Sequence, residues 1–473
     1  MQQIGALSLL KRTLALAAAA GLLSIGIPDP VMAQTTALQS NVGTSISCAP
    51  SQNGTGHMIC GDEILQAGGG NTLLGGVSWQ NRPTITPVGP GGVIEPPFTV
   101  DRSNTTLPAG VFTGTPGCSS TNDGSGDVIC AVEGPNNGIY GIALHPQPTQ
   151  TTSPLLPLLL PGTAITSGIT PGSFPCTPTA ICNIVGSLAS VPSCAPTTGG
   201  MVICAVVVNE QNVMGAAQPE LVGIAFDPRK PQATGSNPAI VNLPYTQTYA
   251  SNPSCVSVTD HSATSPQNGG VPFAACGVVV INTVPWSTAT LFGIAFDPRS
   301  GYARGGLILS SSVPYEGDPS CATPRDNSTE VICAIGTEQG HAFGDGTFST
   351  LAAFGFDPVG RTITTKQTLG AAPAGQFWTG VGCASPNASG TGSTQNTILC
   401  AVITNTNQTY GVVFDPRTTT APLFTTGSVF SSPNGAALHA APSCISLNIV
   451  NNEISCGIVD AAKDSWTFVV PLP

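Results

Sequence analysis

Pro253-Ser254-Cys255, a polar loop, then Ala275-Cys276-Gly277-Val278-Val279-Val280 open the stretch 253–310, whose reading decides the fold. Leu291-Phe292-Gly293-Ile294-Ala295-Phe296 follows, closed by Asp297-Pro298-Arg299, and Gly306-Leu307-Ile308-Leu309-Ser310 ends the unit. These are short runs of β-branched and aromatic residues bounded by Gly, Pro, Asn or Ser, which reads as four successive strands. No segment carries a 3.6-residue apolar period. The 43 prolines and 56 glycines also argue against helices.

The unit recurs seven times. Its cysteine pairs are Cys48 and Cys60, Cys118 and Cys130, Cys194 and Cys204, Cys255 and Cys276, Cys321 and Cys333, Cys383 and Cys400, and Cys444 and Cys456. The first cysteines of successive pairs lie 61 to 76 residues apart. Four short strands per roughly 65 residues make a propeller blade. The sequence therefore predicts an all-β, seven-bladed β-propeller of four-stranded blades. The blades start near residues 44, 114, 190, 251, 317, 379 and 440.

The third strand of the unit ends in a recurring turn: Phe226-Asp227-Pro228-Arg229, Phe296-Asp297-Pro298-Arg299, Phe356-Asp357-Pro358 and Phe414-Asp415-Pro416-Arg417. Asp accepts backbone N–H bonds there and Pro fixes φ near −65°. A catalytic site is normally single, whereas a blade turn recurs, so the arginines are expected to pair with acidic groups on the next blade. The seventh repeat stops after its third strand. Thr36-Ala37-Leu38-Gln39, within 34–43, is expected to supply the missing strand and so close the ring.

The first and second strands of a blade are antiparallel neighbours, and opposed residues there lie within disulfide reach. Each bridge is expected to stabilise by about 2–4 kcal/mol. The remaining two of the 16 cysteines, Cys176 and Cys182, are expected to close a small loop in an insertion. Disulfides need an oxidising compartment. Residues 1–33 supply the route: Lys11 and Arg12, an apolar run from Thr13 to Ile27, then Val31-Met32-Ala33 read as a secretory signal cleaved after Ala33, leaving 34–473 as one propeller. No later stretch is apolar enough to span a bilayer. The mature chain is expected in the periplasm or outside the cell, with a homo-oligomer possible.

Charged residues are 8% of the chain and the net charge is −11. Scattered basic residues offer no patch for phosphates, which excludes nucleic acid as a partner. The sparse charge suits an acidic or harsh exterior. Asp123-Gly124-Ser125-Gly126-Asp127 looks like a fragment of a calcium loop, but only two carboxylates are local, and calcium wants six to eight oxygens. A hairpin tip is the expectation and no cofactor is predicted.

The best recognition candidates are aromatic. Trp286 and Trp378, placed in loops, and Tyr410 offer rigid contact area with a polar handle, suited to sugar faces or protein partners. Trp79 aligns with core phenylalanines. His341 and Asp345 share a Gly-rich insertion. The five histidines fall in different repeats, and no nucleophile elbow, zinc motif or phosphate loop is present.

Pro192-Ser193-Cys194 with Val202-Ile203-Cys204-Ala205-Val206, and Pro319-Ser320-Cys321 with Val331-Ile332-Cys333-Ala334-Ile335, resemble the repeat of the PLL-like seven-bladed propeller lectins. The resemblance implies a lectin-like, adhesive, carbohydrate-binding protein. It departs at the third strand, where that family carries sugar-stacking tryptophans and this chain reads Gly-Ile-Ala-Phe-Asp-Pro. The expectation is a secreted, non-enzymatic binder of glycan or extracellular protein. The alternatives are an exported enzyme with an Asp/His site at the channel mouth, and a self-assembling matrix protein. A lectin should repeat aromatic and polar positions in several blades, and an enzyme should show one asymmetric cluster.

Overall fold

Six of the seven inner strands of this protein contain or adjoin a proline, which removes ladder bonds, and three of them are also short. Ser47–Pro50 and Ser193–Pro196 have four residues each, and Ser443–Ile445 has three. The structure, a computed structural model, describes residues 36–40, 45–52, 57–64, 73–80, 93–94, 112–134, 138–146, 151–153, 156–161, 182–184, 187–211, 217–229, 239–243 and 248–260. It further describes 271–282, 288–297, 302–310, 315–326, 328–337, 347–386, 397–418, 420–432, 435–438, 440–447 and 453–472. The expected leader, Arg299 and Cys176 lie outside these residues.

The described strands fall into seven sheets of four to six strands, and the chain is a β-propeller. All pairings are antiparallel except Leu156–Pro161 with Cys182–Ile184 in the insertion. Thr36–Ser40 pairs with Asp464–Pro471, from Thr36 opposite Thr467 to Ser40 opposite Asp464, with a bulge between Ala37 and Gln39. In each sheet the strand carrying the first cysteine is innermost, and the seven inner strands line one central cavity of about 540 Å³.

Each of the seven recurring cysteine pairs is directly opposed in register and bridged, with Cα atoms 4.0–4.1 Å apart. That is the closer spacing of an antiparallel ladder. The disulfide thus ties a weakly bonded inner strand to the second strand, whose long apolar run is buried.

A second link joins neighbouring sheets. The Cys118 N–H donates to Ser47 Oγ at 2.9 Å, and Cys255 to Ser193, Cys321 to Ser254 and Cys383 to Ser320 at 2.8–2.9 Å. Cys48 donates to Ser443 at 2.8 Å, which joins the seventh sheet to the first. Gly117 and Gly382 stand where the other repeats have this serine. A Cβ on Gly117 would meet the Pro192 carbonyl oxygen at 2.2 Å, and one on Gly382 the Pro442 oxygen at 1.9 Å. The backbones approach too closely there for a side chain.

The recurring Phe and Gly of the third strand interlock between sheets. Phe226 lies over Gly141, Phe296 over Gly223 and Phe356 over Gly293, each ring 2.4–2.7 Å from where a Cβ would sit. The same phenylalanines are buried in the cores between sheets.

The Asp turns form as the sequence implies. Asp227, Asp357 and Asp415 each accept the N–H two residues on, at 2.9–3.0 Å. The arginines reach the preceding repeat, not the next one. Arg229 meets Asp123 at 2.8 Å and Asp127 at 2.9 Å, and holds its own Asp227. Arg417 meets Asp326, Glu330 at 3.1 Å and Ser328 at 2.8 Å. The direction follows from the interlock above: each third strand leans on the sheet before it.

Four substitutions test this framework. Gly117→Ser, which imitates the other repeats, should destabilise by more than about 3 kcal/mol or prevent folding, because backbone must move. Ser443→Ala should cost about 1 kcal/mol in denaturant unfolding. Arg229→Ala should cost about 2–3 kcal/mol, since it unpairs buried Asp227 and half-buried Asp127. Arg417→Ala, a third exposed, should cost no more than about 1–2 kcal/mol in the same assay.

Candidate active site

The two ends of the sheets differ. One end carries the Asp-Pro turns and the loops between inner and second strands. The other, the mouth end, is where inner strands begin and second strands finish. In six sheets the residue two past the second cysteine is apolar: Val132, Val206, Val278, Ile335, Val402 and Ile458. In the first sheet it is Asp62, followed by Glu63, on the strand His57–Ile64. Only the second sheet also has an acid at the latter position, Glu133.

Asp62 is 1% exposed and Glu63 8% exposed. Asp62 Oδ1 and Glu63 Oε1 have no hydrogen-bond partner among the described residues. Burial, then the Glu63 charge, pushes the Asp62 carboxyl up to about 7. Burial, then the Glu133 charge, pushes Glu63 up to about 7, against a lowering by the Lys463 ammonium. Burial raises Glu133, the half-buried member. Both carboxyls are thus raised, Glu63 by its own burial and by the charge of Glu133, and Glu133 by burial. Neighbouring carboxyls with one proton to share are the raw material of acid–base chemistry.

The cavity at this end has a polar rim. At the position three before the first cysteine, Ser45 bonds Thr115, and Val191 N–H donates to Asn252 Oδ1 at 2.9 Å. Asn252 in turn donates to Asp318 from its backbone N–H at 2.9 Å and its amide at 2.7 Å.

Of the expected ligand residues, only Trp378 and Tyr410 are described, and both lie in a core between two sheets. Trp286, His341 and Asp345 lie outside the described residues. Trp378 is not in a loop but begins the inner strand Trp378–Ala384, and it is 1% exposed. Its ring stacks on Phe424 and meets Tyr410 edge-on, both with centroids 6.0 Å away. Its Gly and Pro neighbours suggested a loop, yet the ring fills the space between two sheets. Tyr410 packs against that core and donates to Gln408 at 2.9 Å. The calcium-like loop is filled by a cation of the protein itself: Asp123 and Asp127 grip Arg229, and His145 Nδ1 lies 3.0 Å from Asp127. Burial pushes Asp123 up, but bonds from Ser125, Thr121 and Arg229 outweigh it and hold it well below the usual range. Among the described residues no group of three or more His, Cys, Asp or Glu is placed to hold a metal ion. His57 and His145 lie toward the turn end, away from the acidic cluster.

No protein-family model and no curated protein sequence matches the chain. Among solved structures it is similar to the β-propeller domain of a trilobed protease from Pyrococcus furiosus, at 7% identity and TM-score 0.41, covering 93% of this chain and 97% of that one. It is similar to an α-L-arabinanase of Penicillium chrysogenum complexed with arabinobiose, at 10% identity and TM-score 0.40, covering 75% and 92%. It is similar to a Hadza microbial sialidase, at 9% identity and TM-score 0.43, covering 90% and 65%. These are likenesses of fold alone. They agree with the propeller and lend no support to membership of the PLL-like lectins.

The acidic cluster has a consequence for stability. Raised carboxyl pKa values mean the folded state keeps protons that the unfolded chain releases. Stability from Asp62 and Glu63 is full below about pH 4 and is lost as pH rises to about 7. Asp123, Asp127 and Asp326, all lowered, act oppositely and lose their contribution as pH falls below the usual carboxyl range. Unfolding followed by pH should therefore show a maximum near pH 4 to 5. Asp62→Asn should flatten the decline toward pH 8 by an amount on the order of 4 kcal/mol. An unchanged slope would remove the buried acid from the account.

Proposed function

We propose that the chain is an exported propeller enzyme that performs acid–base hydrolysis of a neutral, polar, glycan-type substrate at the mouth end. The observation that supports this is the one asymmetric carboxyl cluster in an otherwise repeated structure. Cleavage of a glycosidic bond needs one carboxyl that delivers a proton and one that is ionised. Glu63 is suited to hold the proton near neutral pH, and Glu133, half-buried, to act as the base. Asp62, next along the strand and on its opposite face, is itself raised by burial and by the Glu63 charge. The seven disulfides fit an oxidising compartment, and the sparse surface charge fits a neutral substrate.

A second reading has its own observation. The cavity of about 540 Å³, rimmed by hydroxyls and an Asn–Asp pair, is of a size that holds a small ligand without any chemistry. On that reading the protein is a non-enzymatic glycan binder.

One experiment separates them. The oxidised protein, residues 34–473, is screened for hydrolysis of aryl glycosides and natural oligosaccharides from pH 4 to 9, with a glycan array in parallel. On the enzyme reading, turnover falls as pH rises past about 7 and Glu133→Gln lowers kcat by about 100-fold or more, with unfolding midpoints unchanged. Binding on the array with no turnover of the bound glycan would select the second reading. Turnover indifferent to Glu133→Gln and Glu63→Gln would place the chemistry elsewhere.

A further inference from the structure

The central cavity contains a charge arrangement that the acid–base cluster does not use. Among the described residues that line it, only Asp318 and Arg325 carry formal charge. Both come from the fifth sheet and they lie at opposite ends. The rest of the wall is Ser, Thr, Pro, Ala, half-cystines and a few larger neutral groups.

Asp318 is held in place by its neighbours. Both its oxygens accept from Asn252, at 2.9 and 2.7 Å, and Asn252 is fixed in turn by the Val191 N–H at 2.9 Å. The relay spans three sheets, and at the other rim positions Ser45, Thr115, Gly380 and Ala441 bring no charge. No ion pair involves Asp318 among the described residues. Its carboxylate is exposed to the open cavity and fixed there by the two bonds from Asn252. A fixed anion with no counter-ion beside it attracts a cation. The chain's net charge of −11 draws cations toward the protein. Arg325 at the far end disfavours a second cation.

We propose that the cavity is a binding site for a ligand presenting a single primary ammonium group, which donates to the free acceptor sites of Asp318 while the hydroxyl-lined wall takes the ligand's polar body. A carboxylate offers only acceptors, so a ligand donor is required. An ammonium supplies three donors together with the missing counter-charge, whereas a hydroxyl supplies one donor and no charge.

The test is calorimetric titration of the full oxidised protein at pH 8 with 5-amino-1-pentanol and with its neutral isostere 1,5-pentanediol. The amine should bind saturably, the diol at least about tenfold more weakly, and 0.5 M salt should weaken the amine alone. Asp318→Asn, which keeps the shape and removes the charge, should reduce amine binding by about tenfold or more. Asn252→Ala, which frees the carboxylate to swing, should reduce it less. The second variant and the diol comparison keep the test decisive if Asp318→Asn folds poorly. Equal affinity for amine and diol, or amine binding unchanged in both variants, overturns the proposal. Glu63→Gln should leave amine binding intact, so failure of the hydrolase reading and failure of this site are separate results.

Discussion

The structure depends on holding seven inner strands around one axis. Three have only three or four residues. Prolines border or interrupt six of them: Pro50, Pro116, Pro192 and Pro196, Pro253, Pro319 and Pro442. Each proline removes a backbone donor. The shortest strands, with so few ladder bonds, would not stay against their sheets unaided. The disulfide fixes each inner strand radially, to its own second strand. The serine Oγ bond fixes it tangentially, to the next inner strand. Where the serine gives way to Gly117 or Gly382, backbone contact with Pro192 or Pro442 takes its place. The outer strands, with longer ladders and an apolar filling between sheets, need neither device.

The two ends of the sheets then divide the work. At the turn end the charges are paired: guanidinium groups of Arg229 and Arg417 sit in loops of the form Asp-x-Ser-x-Asp/Glu contributed by the preceding repeat. These contacts lock one sheet's turn to its neighbour and leave little charge unspent. At the mouth end the opposite holds. Asp62 and Glu63 have oxygens without partners, and Asp318 has bonds but no counter-ion. Buried unpaired acid such as Asp62 and Glu63 is unfavourable for folding, so it persists where the rest of the structure over-determines the fold. Seven cross-links and the interlocked Phe and Gly residues provide that surplus.

Much of this architecture was legible in the sequence because it recurs. In-register bridging demands cysteines at matching distances from each loop, and the seven pairs show it. The missing strand of the seventh repeat pointed to Thr36–Ser40, which pairs with Asp464–Pro471. The Asp turns were legible because their physics is local. What crosses between sheets was not. The role of Gly223 becomes visible only with Phe296 over it, and the direction in which Arg229 reaches depends on how sheets lean. Trp378 misled because exposure of an aromatic cannot be read from its Gly and Pro neighbours. Asp62 did leave a signal: aligned second strands show one acid among six apolar residues.

A near-symmetric repeat also supplies its own control. Any side chain needed to build a blade has to occur in most blades, as the cysteines, the serines and the Phe-Asp-Pro turns do. A side chain that occurs once cannot be required by the blade. It either reflects drift, in which case a polar group on an apolar face would be replaced at no loss, or serves something the blades do not share. Asp62 sits at a position that Val or Ile fills in every other sheet, at a stability cost that grows with pH. Glu63 feels the charge of Glu133 on the neighbouring sheet. Their occurrence together at one end of the molecule, on the second strands of two adjacent sheets, is what sets them apart from scattered substitutions.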